Sequence, residues 1–540
     1  MPKGMVEDVV YGAASKNWLL TLIREVEGDA TRKRVLIDTI HGSYKWHYRR
    51  MVPDIMDHLE FRNTYPNPQL VAALQLLKSY GGSKETTYPH GVTVPIKGIV
   101  PNDWHFLVVG GTARHPQINC VAYEICVLMV LREKLRCREM WVVGARRYRN
   151  PGDDLPKDFV DKRSAYYADL GIKRDAKAYV RDLREEMTEA LKELDRTLPS
   201  NPYVTIAKYK DGHRFCVTPL KAMDDPVNLA AVKDAVFNRW GGTNLLDVLK
   251  EVDLQLQFTR HFRSGTEQTR MEKNTMRRRL LLCIYALGTN TGIKSMEAGF
   301  QVEYRELLYV RRRFISADAM REAIATVINA TFAIRKPEIW GGATTACGAD
   351  SKQFGCWDQN LLTEYHMRYG GRGVMAYWHV DKHATCVFSQ LKRVSSSEVA
   401  AMFNGIIQHC TDMEIDRQYV DTHGQSTVAF GLADIMKVDL LPRIKGINRL
   451  KLYRSTPGLI LPYLDNKVMH PRFIDWDLIE YNYDAVVQHV VALKLGITDA
   501  ESLLRQFTKN SKHPAYGTMI EIGKVRKNIL LMRGGYNPHL

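Results

Sequence analysis

The chain has 540 residues, 45% hydrophobic and 25% charged, a balance that fits folded globular protein and excludes disorder along its length. Lys and Arg number 76 against 60 for Asp and Glu, a formal charge of +16; this favours a polyanionic partner such as nucleic acid, although a solvated basic surface gives the same totals. No stretch approaches the ~20 apolar residues of a membrane span, and the opening MPKGMVEDVVYGAASKNW carries acids where a secretion signal needs an apolar core, so a cytoplasmic protein with no membrane partner is expected.

The length implies three or four folded units at about 150 residues each. The nine cysteines, at 120, 126, 137, 216, 283, 347, 356, 386 and 410, form no CxxC pair, which points to reduced thiols in the core rather than structural zinc. From Met1 to Lys336 the pattern is mainly helical, with amphipathic segments around Cys120 to Leu135, Ala176 to Leu198, Asn228 to Trp240 and Met320 to Arg335. Turn chemistry at Tyr65 to Pro68, Asn150 to Asp153 and Pro199 to Pro202 marks internal boundaries, and no repeat recurs at a fixed period. The run RDLREEMTEALKELDR alternates charge as an exposed or helix-pairing segment does. Two basic clusters, Arg277, Arg278 and Arg279 and then Arg311, Arg312 and Arg313, each adjoin an apolar run. Each is a candidate DNA-contacting helix edge, with a plain solvated face as the alternative.

The character changes after Pro337. Thr344 to Asp350 reads as a strand, then Val374 to Val380 and Thr385 to Leu391 read as an antiparallel hairpin turning at Asp381, Lys382 and His383. Ser395 with Glu398 reads as a capping box ahead of the apolar helical face Val399, Met402, Phe403, Ile406 and Ile407. Ile415 to Val420 is a strand ending at Asp421, a helix follows from Ser426 to Met436, and Val438 to Ile444 is the next strand. The expected fold is α+β, with a mixed sheet in the order strand, strand, strand, helix, strand, helix, strand. That is the order of an RNase H-like sheet, preceded here by a large helical scaffold.

In such a sheet Asp350 and Asp421 share one site. Carboxylates are hard ligands suited to Mg²⁺ or Mn²⁺, the ions of phosphoryl transfer on a phosphodiester. Strand-terminal aspartates are also common turn formers, so the pair alone does not decide.

The surrounding words add to it. ADSKQFGCWDQNLLTEYHMRYGGRGVMAYWHV, SQLKRVSSSEVAAMFNGIIQHCTDMEIDRQYVDTHGQS and LLPRIKGINRLKLYR resemble the catalytic segment of Tn-three-type replicative (class II) transposases of the DDE superfamily. WVVGARRYRNPGDDLP and RRRLLLCIYALGTNTGIKSM resemble their helical region. The resemblance implies that Asp350 and Asp421 are the first two members of the DDE triad and ligate Mg²⁺ or Mn²⁺. It implies strand cleavage at terminal inverted repeats, strand transfer to target DNA to form a cointegrate, at least a dimer for synapsis, and a bacterial cytoplasmic protein held on the nucleoid when bound to DNA. It also implies a division into a helical, DNA-contacting scaffold over 1–336, a catalytic core over 337–460 and the start of a helical insertion over 461–540.

The sequence departs from the family at two places. No Val-Val-Glu-Asn-Trp-Asn-like stretch carries the third acid, and the chain begins inside what resembles the middle scaffold, so truncation at both ends and impaired activity are expected. Glu480, Glu501 and Glu521 are the nearest downstream acids, each also explained as ordinary helix charge. Ser351, Lys352, Arg368, Arg372 and His423 are candidate DNA or phosphate contacts, with turn capping and surface ion pairs as their bland alternatives, while Trp357 and Asp358 fit loop packing. Besides an impaired transposase, two readings stay open: a non-catalytic DNA-binding fragment that modulates a complete transposase, and a general RNase H-like nuclease.

Overall fold

The computed structural model describes residues 15–536 apart from 28, 65, 82, 84, 90, 113–114, 147, 211, 219–223, 264–270, 341–344, 357–361, 368–369, 466 and 510–512. The chain divides into two compact units, residues 1–157 with 502–511 and residues 158–501 with 512–540. No helix among the described residues is long and apolar enough to cross a membrane.

The first unit is built on the helix Cys120–Arg136, capped by Asn119, whose side chain accepts from the Ala122 N–H. Its apolar side packs with Leu70, Ala73, Leu74 and Leu77 of the helix Pro68–Tyr80. Glu124 is fully buried in this core. Burial is tolerated because Arg49 donates to both of its oxygens at 2.8 and 2.9 Å and the Tyr44 hydroxyl donates at 2.9 Å.

After a short helix, Arg163–Leu170, the second unit continues with α1 (Ala176–Thr197), whose charge-alternating sequence is a pairing helix: Tyr179, Val180, Leu183, Met187, Leu191 and Leu194 are buried at mostly three- and four-residue intervals. A hairpin of Val204–Tyr209 and Gly212–Val217 follows, a β element that helical periodicity did not announce. Then α2 (Lys273–Gly288), α3 (Tyr304–Phe314) and α4 (Ala317–Ile334) share a core of Leu280, Leu282, Cys283, Leu307, Val310 and Ala323.

The sheet comprises β1 (Ala346–Gly355), β2 (Glu364–His366), β3 (Gly371–Asp381), β4 (Cys386–Lys392), β5 (Arg417–Val420) and β6 (Asp439–Pro442). Its order is β4-β3-β1-β5-β6, with β2 also on β3. β3 is antiparallel to β1 and to β4, whereas β1, β5 and β6 run parallel. The hairpin read between Val374 and Leu391 is therefore present. β1, however, runs five residues past Asp350, which lies mid-strand rather than at a strand end. Its polar continuation SKQFG lacks an apolar signal of its own and is held by pairing with β3, from Ser351↔Tyr377 to Gly355↔Gly373.

Two helices cover the sheet's connections. α5 (Glu398–Gln408) is capped by Ser397, which accepts from the Ala400 N–H, and not by Ser395, which instead bonds Glu364. The capping box placed at Ser395 is corrected accordingly: with the cap at Ser397, Glu398 is the first helical residue and its side chain is free to turn outward. α5 lies close on β3 because Gly405 faces the ring of His379, where an added Cβ would come within 1.9 Å of Cε1. His379 is fully buried, its Nε2 3.0 Å from the Met402 carbonyl. α6 (Thr427–Ile435) begins at its Ser426 cap and is buried on nearly every side. With α7 (Trp476–Lys494) and α8 (Pro514–Tyr536) it forms the helical packing behind β5 and β6. α6 and α8 touch backbone to backbone: a Cβ on Gly523 would lie 1.7 Å from the Thr427 carbonyl oxygen, and one on Gly431 2.1 Å from that of Met519. At this crossing Asp434 accepts from both Tyr179 and Arg526, and Arg526 also reaches Glu186 at 2.6 Å. The buried carboxylate of α6 is thus paired and hydrogen-bonded from two other helices, α1 and α8.

Two outcomes follow from this packing. Gly523→Ala forces α6 and α8 apart and lowers stability by about 3 kcal/mol, which urea titration of the purified chain measures. Burial lowers the pKa of His379 and of His489 to about 4, while the unfolded chain takes up these protons near pH 6.5. Their contribution is complete above pH 6.5 and declines as the pH falls toward 4, by roughly 3 kcal/mol each over the full window. The urea midpoint should drop between pH 7 and 5, and a flat midpoint contradicts this.

Candidate functional site

Parallel pairing of β1 and β5 runs from Ala346↔Arg417 to Ala349↔Val420. The residue that follows each of these last partners is an aspartate, Asp350 within β1 and Asp421 just past the end of β5. The carboxyl end of parallel strands is where open α/β sheets gather ligands. Both aspartates line a cavity of about 890 Å³ with Gly348, Trp378, Val380, Arg417 and Tyr419. The opposite face of the same strands is buried: Cys347, Ala349, Tyr377, His379 and Gln418 are at most 8% exposed.

The turn after β5 is shaped by its sequence. Asp421 caps a short 3₁₀ turn, Thr422–Gln425, by accepting the His423 N–H at 2.9 Å. Gly424 lets that turn fold back on the strand, since a Cβ there would sit 2.2 Å from Val420 Cγ2. The His423 ring then lies with Nδ1 2.6 Å from Asp421 Oδ2 and 2.7 Å from Glu398 Oε2. The other oxygen of Glu398, Oε1, accepts the Ser351 hydroxyl at 2.7 Å. Ligand atoms of Glu398, Asp421 and His423 all fall within 4.8 Å of one another. Asp350 stands outside that trio, its Oδ1 taking the Ser351 N–H at 2.7 Å. Tyr377 lies beneath the group: burial, and then the charges of Glu398, Asp421 and Asp350, push its hydroxyl well above the ordinary phenol range, so it stays protonated.

Two carboxylates, Glu398 and Asp421, thus gather with one imidazole, Asp350 stands on the neighbouring strand, and among the described residues none of the three carboxylates has a Lys or Arg ion pair. Oxygen donors of this kind fit a hard divalent cation. Crowded like charges are costly without one.

The other residues singled out in the sequence divide. Ser351 and His423 belong to the site, and Lys352 is exposed on β1. Arg372 is exposed on β3, paired in register with Tyr365. Arg368, Trp357 and Asp358 lie outside the described residues. The cluster at 277–279 has internal partners: Arg277 pairs with buried Asp253 at 2.8 Å, Arg278 donates to the Phe300 carbonyl at 2.6 Å, and Arg279 pairs with Glu306. Arg311 and Arg312 are exposed on the last turn of α3, and Arg313 lies over the Tyr309 ring. Of the downstream acids, Glu480 faces Lys177 and Glu521 is taken by Lys524 and the Asp475 N–H. Glu501 accepts the Ser397 N–H at 2.9 Å, at the foot of α5. Glu398 was missed as a site residue because its capping signature accounted for it. The signal available was its place in the first turn of the helix between the hairpin and the Asp421 strand.

A family model described as the Tn3 transposase DDE domain matches residues 247–536. The chain is 24% identical over 503 residues to the transposase for transposon Tn2501 of Escherichia coli, covering 91% of this chain and 49% of that protein. It is 23% identical over 489 residues to the transposase for transposon Tn1546 of Enterococcus faecium, covering 90% and 48%. Against the transposase for transposon gamma-delta of Escherichia coli (strain K12) identity is 21% over 539 residues, covering 98% and 52%. The chain spans about half the length of the curated relatives it matches. Since the matched segment takes in more than half of the chain and holds Asp350, Glu398 and Asp421 together, the protein belongs to the Tn3 transposase family through its DDE domain.

Proposed function

We propose that this chain carries the DNA strand cleavage and strand transfer chemistry of replicative transposition, with Asp350 and Asp421 holding Mg²⁺ or Mn²⁺. The observation that carries the reading is the register of β1 and β5, which brings the two aspartates to neighbouring positions on one cavity. The order β4-β3-β1-β5-β6 with β3 antiparallel supports an RNase H-like sheet. On this reading residues 337–460 are the catalytic core, 1–336 the helical scaffold that contacts DNA, and 461–540 the start of a helical insertion.

A divalent ion in this site supplies charge neutralisation at the phosphodiester and an activated oxygen nucleophile. The chain's own residues do the positioning. β1 and β5 fix the spacing of the carboxylates, His423 orients Asp421 through Nδ1, and Gly424 keeps the turn against the strand end. Tyr377 remains a neutral phenol under the carboxylates and adds no further negative charge. Exposed Lys352, Arg311 and Arg312 are available to a DNA backbone, Arg372 is exposed on β3, and the formal charge of +16 favours such a partner. The partners on this reading are the transposon's terminal inverted repeats and target DNA, engaged by a self-associated dimer on the nucleoid in the cytoplasm.

Labelled inverted-repeat duplex incubated with the purified chain and Mg²⁺ or Mn²⁺ should be nicked, and chelation with EDTA should abolish nicking. Asp350→Ala and Asp421→Ala should each reduce the rate on the order of 100-fold or more, given the ion's share of the catalysis. Gly424→Ala, which drives a methyl into Val420, should reduce it about tenfold through misplacement of Asp421 and His423. Binding of the duplex without metal-dependent nicking would instead mark a non-catalytic DNA-binding fragment. Nicking indifferent to the repeat sequence would mark a general nuclease.

A further inference from the structure

We propose that Glu398 is a third carboxylate ligand of the divalent-metal site formed with Asp350 and Asp421. The proposal rests on the reading of that pair as metal-holding and adds a residue to it.

Chain topology brings Glu398 there. The β3–β4 hairpin returns the chain to the first turn of α5, beside the point where β1 and β5 stop pairing. Because the helix cap is Ser397, Glu398 is not required to satisfy the helix's own N–H groups. Its carboxylate points to the site instead, one oxygen on Ser351, next to Asp350, and the other on the ring that also holds Asp421. The side chain is 16% exposed. Buried Lys392, the nearby cation, is affected by the charge of Glu398 but forms no ion pair with it among the described residues. A mostly buried carboxylate whose partners are the Ser351 hydroxyl and a shared imidazole has unspent acceptor capacity beside the Asp421 carboxylate. His423 Nδ1 lies 2.6 Å from Asp421 and 2.7 Å from Glu398, and the ligand atoms of all three fall within 4.8 Å of one another, a spacing at which the two carboxylates can share an ion.

The ordinary alternative is an acidic first-turn residue that complements the helix dipole. The two differ in what an uncharged isostere does. Glu398→Gln keeps the shape and an oxygen acceptor for Ser351 but removes the charge, so a dipole or positioning role leaves ion affinity nearly untouched while a ligand role does not.

The test is Mn²⁺ binding to the full chain by isothermal titration calorimetry, without DNA, on the wild type and on Glu398→Gln, Ser351→Ala and Asp421→Asn, with thermal unfolding in EDTA as the check that each variant folds. The expected result is a loss of affinity of about tenfold or more for Glu398→Gln, because affinity for a hard cation is set by the number of charged ligands, and a smaller loss for Ser351→Ala. If Glu398→Gln binds Mn²⁺ with less than that loss while Asp421→Asn does not bind, Glu398 is not a ligand and the aspartate pair stands. If Asp421→Asn binds as the wild type does, the reading of the pair itself fails. Should Glu398→Gln not fold, Glu398→Asp, which keeps the charge on a shorter stem, is measured in its place: retained binding weakened by a few-fold supports the ligand role, and unchanged affinity overturns it.

Discussion

The parallel pairing of β1 with β5 fixes where Asp350 and Asp421 stand, and much of the second unit keeps that pairing in place. Four paired residues separate the start of β5 from its aspartate, so a slip of one residue would turn Asp421 to the buried face, where Gln418 and Cys347 leave no solvent for a charge. The pairing is protected from both sides. β3 extends beyond β5 along β1, which stiffens the strand that carries Asp350. β6 closes the far edge of β5, again in parallel, so neither partner of the site is an open edge.

Helical packing serves the same end. α6 leaves the β5 turn only a few residues after Asp421, and its position is set by contact with α8 at Gly431 and Gly523, where no side chain intervenes. Direct backbone contact leaves little room for sliding, because any shift meets a carbonyl oxygen rather than a pliable side chain. Asp434, held by Tyr179 and Arg526, adds a directional lock at the same crossing, and Arg526 and Arg533 tie α8 to Glu186 of α1. Arg526, far along the chain, thereby constrains a helix that begins six residues past Asp421. The buried pair contributes geometry more than net stability.

The sequence made the aspartates visible through the words around them, and the strands through their apolar alternation, because both signals are local. The extension of β1 past Asp350 was not legible: SKQFG is exposed on alternate residues and owes its conformation to β3, a partner some twenty residues away that no local pattern reports. The site role of Glu398 was hidden for a different reason. Glutamate three residues after a serine has a sufficient local explanation, and only the observed cap at Ser397 frees it from that explanation. The hairpin at 204–217 lay in a region whose long helices dominate any window-averaged reading.

The arginine clusters carry the same lesson about charge. A run of three arginines reads as a nucleic-acid contact, yet Arg277, Arg278 and Arg279 each find an internal acceptor, one of them the buried carboxylate of Asp253. An arginine that neutralises a buried carboxylate cannot leave it for a phosphate without stranding that charge, so its positive potential is largely cancelled at the surface. Arg311 and Arg312 are exposed on the last turn of α3, and Lys352 lies on the strand of Asp350 two residues further on. Electrostatic attraction of a polyanion therefore depends on scattered exposed charges such as these more than on the run at 277–279. A backbone drawn in by such charges still meets a site that is itself negative. A bound divalent cation reconciles the two, since it converts the carboxylate group from a barrier to the phosphate into its point of attachment.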